Sequence, residues 1–197
     1  MLTRASRVFP AIFLAGALLL LVAGSARATT VIAQPLPQLT AQAGAIVHGT
    51  VTGVRSDWNA GRTHIFTFVS VHVDRSLKGS LGPDLTVMEF GGTVGNLRQY
   101  IPGTPQFRPG EEVVLFLSLH PPMYPSVLAL SQGKFSIVAD RATGTRMISR
   151  DLYGATVRGP GEALTVPPTL SAFESQVRAL VAGGRPKAQR RKPRKQE

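Results

Sequence analysis

The sequence predicts a mainly β protein: a small five- to six-stranded barrel, with a short helix before it and an amphipathic helix after it. Three observations point there. Glycine and proline number 20 and 15 in 197 residues, a loop-rich balance that suits many short strands joined by turns. Arg62 to Arg75 alternates its side chains between two faces over a long stretch. After Pro167-Pro168 the apolar residues recur at helical spacing.

The elements follow in chain order. Arg4 and Arg7 precede an apolar run, Val8 to Val22, which closes on the small-residue segment Gly24 to Ala28. That order reads as a secretory signal peptide over 1–28, with Thr29 the first mature residue. The run is shorter than the roughly 20 apolar residues of a membrane span, so cleavage rather than anchorage is expected. Leu36, Leu39 and Ala43 mark a short helix. Ala45 to Arg55 alternates, with Val47, Gly49, Val51 and Gly53 on one face; the glycines point to a bend or a close backbone approach. Asp57 to Gly61 is a turn.

In the long second strand, Ile65, Thr67, Val69, Val71 and Val73 face one way and His64, Phe66, Phe68, Ser70 and His72 the other. Leu77 to Pro83 turns the chain, and Asp84 to Phe90 is a strand ended by Gly91-Gly92. Thr93 to Gly110 reads as one long Gly- and Pro-rich loop. Glu111 to Leu119 is nearly continuous in apolar residues, the pattern of a strand buried on both faces. Val127 to Leu130, Gly133 to Ala139 and Thr145 to Ser149 are shorter strands, the last two forming a hairpin. The closing helix, about 169–182, carries Leu170, Phe173, Val177, Leu180 and Val181 on one stripe, with Ser171 and Glu174 at capping-box spacing. Phe66 and Phe68 are the expected receivers of that stripe. The domain organisation is therefore 1–28 signal, 29–184 a single β domain, and 185–197 a disordered basic tail.

Charge divides unevenly. Of the net +11, three units sit in Arg4, Arg7 and Arg27 and six in the tail, leaving +2 for residues 29–184. The folded part thus gives no reason to expect a nucleic-acid groove. The tail, with Arg190, Arg191 and Lys192 at its centre, is either a binder of anionic envelope polymer or lipid or a solvated extension. There is no cysteine, so stability outside the cytoplasm must come from an apolar core.

The run Ala45-Ile46-Val47-His48-Gly49-Thr50-Val51, the segment Leu77-Lys78-Gly79, the pair Gly91-Gly92, and Phe107 to Leu117 resemble a group of uncharacterised exported bacterial proteins. These look like the OB-type barrel of netrin-like modules and tissue inhibitors of metalloproteinases, over roughly 38–140. The resemblance implies an OB-like barrel and a protease as one class of partner. The inhibitors' zinc-chelating N-terminal cysteine has no counterpart here, so that mechanism does not carry over.

Reactive chemistry is not signalled. His64 and His72 share a strand face about 26 Å apart at about 3.3 Å per residue, too far for one metal ion. His48 lies near either in sequence register, and the histidines read as solvent-facing strand residues without a ligand cluster. Glu111 and Glu112 are adjacent, so they face opposite ways on a strand and do not form a dyad. No nucleophile elbow or phosphate loop is present. The expectation is a non-catalytic, extracytoplasmic binding module needing no cofactor. Its contact residues are Trp58, Tyr100 and Phe107: Trp58 as a loop contact or an anchor over the barrel end, the other two on the long loop, itself a contact surface or cover for an open edge.

Overall fold

The computed structural model describes residues 30–121, 123–159 and 165–183. Eleven strands and two α-helices are present among them. In chain order they are β1 (Thr30–Ile32), α1 (Leu36–Gln42), β2 (Ala45–Trp58), β3 (Ile65–Lys78), β4 (Asp84–Phe90), β5 (Gly92–Val94) and β6 (Leu97–Gln99). There follow β7 (Glu112–Ser118), β8 (Ser126–Val127), β9 (Lys134–Ala139), β10 (Arg146–Ser149), β11 (Thr156–Arg158) and α2 (Leu170–Gly183). The fold is mainly β, as the alternation and the turn-rich composition require, but the strand count exceeds the five or six expected. The extra strands are two- and three-residue pieces that carry no periodicity of their own.

The main sheet is antiparallel, in the order β10-β9-β7-β2-β3-β4, with β8 paired to β7. No ladder joins β4 to β8. The Met88 N–H donates to the Pro125 carbonyl at 2.9 Å, and the Val127 N–H donates to the Glu89 carboxyl at 2.6 Å. These two bonds span the gap. Outside the main sheet, β1 pairs in parallel with β11, and β5 and β6 form a small hairpin.

β2 runs through the middle. Its glycines behave as the sequence implies at Gly49, where a Cβ would stand 2.2 Å from the His72 carbonyl oxygen. Gly53 instead marks a register shift against β3. Residues Ala45 to Gly49 are all buried, so β2 faces two cores. One contains Val47, Val51, Val69, Val87, Leu115 and Leu117. The other lies under the helices and contains Leu39, Ile46, Phe116, Phe135, Phe173 and Val177. In it, Phe173 packs on Phe135 at 4.8 Å and on Phe116 at 6.3 Å between ring centroids.

Phe66 and Phe68 do not receive α2. Phe66 stacks on Phe90 at 4.8 Å, and Phe68 meets Tyr124 edge-on at 5.6 Å with the Arg55 guanidinium 4.4 Å from its ring centre. The cause is topological. The Ile148 N–H donates to the Pro168 carbonyl and Met147 bridges Thr169, so α2 starts at β10, the opposite end of the sheet from β4. Nor do Ser171 and Glu174 form a capping box. The Ala172 N–H reaches the Thr169 hydroxyl at 3.4 Å, while Glu174 is buried.

These contacts predict a contrast between aromatic residues. Phe173→Ala should cost about 3–5 kcal/mol in urea unfolding, the range for a fully buried phenylalanine. Phe66→Ala, on the half-covered face, should cost less than half as much. Equal losses would mean that the helix core does not hold the sheet.

Candidate functional site

The long loop after β4 is not a loop throughout. Gly91 and Gly92 adopt φ of +89° and +142°, and a Cβ on Gly92 would lie 2.4 Å from the Ser56 hydroxyl. This turn sends the chain back as the β5–β6 hairpin. The Gly91 N–H donates to the Ile65 carbonyl at 2.8 Å, and the Ile65 N–H donates to the Gln99 side-chain oxygen at 2.7 Å. Residues 100–107 continue as a strap. Its first half is tied by the Gly103 N–H and the Tyr100 hydroxyl, both donating to the Tyr153 carbonyl, at 2.9 and 3.0 Å.

Between this strap and strands β2, β3 and β4 lies a cleft of about 220 Å³. Tyr100 and Phe107 wall it, together with Ser56, Thr67, Glu89 and Arg98. Two of the expected contact residues are therefore brought together. Trp58 is not among the lining residues: it ends β2, half-buried, opposite Ile65. The turn expected at Asp57 begins two residues later, because both Asp57 and Trp58 still pair with β3. Arg190, Arg191 and Lys192 lie outside the described residues, as does the 1–28 leader.

The floor of the cleft is chemically unusual. Glu89 is only 6% exposed, and burial pushes its carboxyl up to about 8, against the lesser opposing effect of the hydrogen bond from Val127. It is a neutral acid at pH 7. Thr104, which also lines the cleft, has a buried hydroxyl with no hydrogen-bond partner among the described residues. A neutral carboxyl, hydroxyls and aromatic walls can take an apolar side chain and hydrogen-bond uncharged polar groups such as backbone amides.

Lys134 fixes one wall. Its ammonium is 2% exposed and donates to the Gln106 carbonyl at 2.5 Å, Glu111 Oε1 at 2.6 Å and the Tyr153 hydroxyl at 2.8 Å. It also sits 4.7 Å from the Phe107 ring centre. Burial lowers the lysine below its ordinary range and raises Tyr153 to about 12. All three ammonium protons have an acceptor, so the lysine positions Gln106 and Phe107 and offers no free lone pair for chemistry.

Glu111 and Glu112 diverge as adjacent strand residues must. Glu111 meets Lys134 and Ser136, whereas Glu112 meets His48. His48 departs from the expectation of a solvent-facing residue. It is 1% exposed, because α2 covers that face of β2. Among the described residues no group of three or more His, Asp and Glu is arranged to hold a metal ion. No helix among them is long and apolar enough to cross a membrane.

Comparison with known proteins finds no matching family model, no matching curated protein and no matching solved structure.

The buried acid dictates a pH dependence. The folded state keeps the Glu89 proton up to about 8, while the unfolded chain releases it near the ordinary 4.5 of a glutamic acid. Its contribution to stability is therefore complete below pH 4.5 and is lost as pH rises toward 8, at roughly 1.4 kcal/mol per pH unit crossed. Urea unfolding of Glu89→Gln, which stays neutral, should show a flatter decline over that window than the parent. A parent curve that rises from pH 5 to 8 would contradict the neutral acid.

Proposed function

We propose that the protein is an exported, non-catalytic binding module that holds a protein partner at the cleft beneath the 100–107 strap. The observation that carries this reading is the convergence of Tyr100 and Phe107 on one cleft whose lining includes the buried Glu89. Tyr100 is 51% exposed and Leu97, on the neighbouring hairpin, 55%, so the rim offers apolar surface to a partner. The polar groups on the floor suit the backbone of an inserted segment. The strap is pre-ordered by its bonds to Tyr153 and Ile65, which lowers the entropy cost of binding.

In this reading the sheet is a partly closed OB-type barrel, its seam bridged at Glu89, and the partner is a protease that presents a segment to the cleft. The signal-like leader supports a secreted or periplasmic location. The basic tail is a separate anionic contact that the cleft does not need.

The test is inhibition of a panel of purified zinc proteases by the mature protein at micromolar concentration. At least one enzyme should be inhibited. Tyr100→Ala should weaken that inhibition roughly tenfold or more, the scale of an interface anchor. Removing residues 185–197 should leave it unchanged, because the cleft draws its lining from residues 54–107. Absence of inhibition across the panel would remove the protease reading. Inhibition lost with the tail but kept in Tyr100→Ala would remove the cleft.

A further inference from the structure

The cleft under the strap is lined by hydrogen-bonding groups of both kinds. Glu89 Oε1 accepts the Val127 N–H, which leaves Oε2 for the cleft. The Thr67 hydroxyl donates to the Gly91 carbonyl at 2.7 Å, so in its 3.0 Å contact with Ser56 the serine is the donor. The Ser56 lone pairs remain as acceptors. Gln99 gives its side-chain oxygen to the Ile65 N–H, and its amino group remains as a donor. Thr104 is able to donate or accept. It is only 9% exposed, and its hydroxyl has no partner among the described residues.

Charge narrows the choice of ligand. Two charged side chains line the cleft, Glu89 and Arg98, and their signs oppose. A cation seated there gains Glu89 but meets Arg98, and an anion gains Arg98 but meets Glu89. The lining as a whole therefore favours an uncharged group. Burial already disfavours a charge on Glu89, and an uncharged ligand leaves that balance undisturbed. The group must also fit about 220 Å³ and carry donors and an acceptor together at one end. A primary carboxamide does so, with two N–H donors beside one carbonyl. A backbone amide brings a single N–H and has chain on both sides of it.

We propose that the cleft selects a primary carboxamide, the end group of a glutamine or asparagine side chain: its amino group donates to Glu89 and Ser56, and its carbonyl accepts from Gln99 and Thr104. The inference rests on the cleft being the binding site, and it adds the chemistry of what enters. Tyr100 and Phe107 pack on the methylenes that carry the amide. An apolar side chain of the same size fills the volume but leaves Glu89 and Thr104 without partners in a closed site. That penalty is the source of the discrimination. A free small amide offers the same group, and the test separates the two sources.

NMR titration of the full chain tests this, read at the backbone amides of Tyr100 and Thr104. The probes are N-acetyl-glutamine methylamide and its methionine, glutamate and lysine counterparts, which share one backbone and differ only in the side chain. At millimolar concentration the glutamine probe should bind roughly fivefold or more tighter than the other three, the scale of one net hydrogen bond. The double variant Glu89→Gln, Thr104→Val, close to the parent in shape, should erase that preference while still binding the methionine probe. Should it not fold, the ranking of probes on the parent decides alone. Propionamide matching the glutamine probe assigns the site to a free amide, and weaker binding assigns it to a side chain on a chain. Equal binding of all four probes, or preference for glutamate or lysine, overturns the inference and leaves the cleft standing as a site. So does a glutamine preference that survives in the double variant. No shift at either amide with any probe removes the cleft reading itself, and this inference with it.

Discussion

The first half of β2 has no solvent face, and the rest of the molecule is arranged around that constraint. A strand presents alternate side chains to two sides, so burying both demands two separate covers. Apolar side chains of β3, β4 and β7 supply one, over Ala45 and Val47, and the two helices supply the other, over Ile46. Gly49 follows from the same crowding, since a side chain there would collide with β3. His48 follows too. With water excluded from both sides, its ring must find partners in the protein, and β7 and α2 each deliver a glutamate.

Two buried polar networks result, and they differ in one respect that sets their roles. Around Lys134 each of three protons has an acceptor within 2.8 Å. Such a network is rigid, and it serves as a peg for Gln106 and Phe107 at the cleft wall. Around His48, Glu174 Oε1 stands 2.8 Å from Nδ1 and meets a donor there only when that nitrogen carries the proton. A network with an unmet acceptor costs stability, and its balance depends on where a proton resides. The saturated cluster therefore belongs with positioning.

Long strands were legible because alternation is a local property: β3, β4 and β7 lie within a few residues of where the pattern puts them. The β5–β6 hairpin was not, because three-residue strands rich in glycine have no period to read. The parallel β1–β11 pair joins Thr30 to Thr156, a contact no window can see. Helix docking failed for the same reason. Phe66 and Phe68 are as apolar as Phe116 and Phe135, and only the order of strands in the sheet decides between them. At the site, Tyr100 and Phe107 stood out as aromatics in a long connection. Glu89 and Glu174 carried a quieter signal: each falls on an apolar stripe, at period two after Leu85 and Val87 and at helical spacing between Leu170 and Val177. An acid on such a stripe is either an error of register or a buried group with a task.

Glu89 shows why the second reading holds at the cleft. The Val127 N–H faces the gap between β4 and β8, and the acceptor it finds there is the Glu89 carboxyl. Glutamine would satisfy that donor equally well and would carry no titration. A carboxylic acid is costlier, because it stays neutral in the fold only by giving up the hydration of its anion. What it adds is a state that can change with its surroundings. The same side chain bridges the seam and lines the cleft, so whatever occupies the cleft and hydrogen-bonds to that acid acts on the junction between β4 and β8 as well. Seam and cleft are one electrostatic unit, and the residue that joins them is the one that strand alternation had already turned inward.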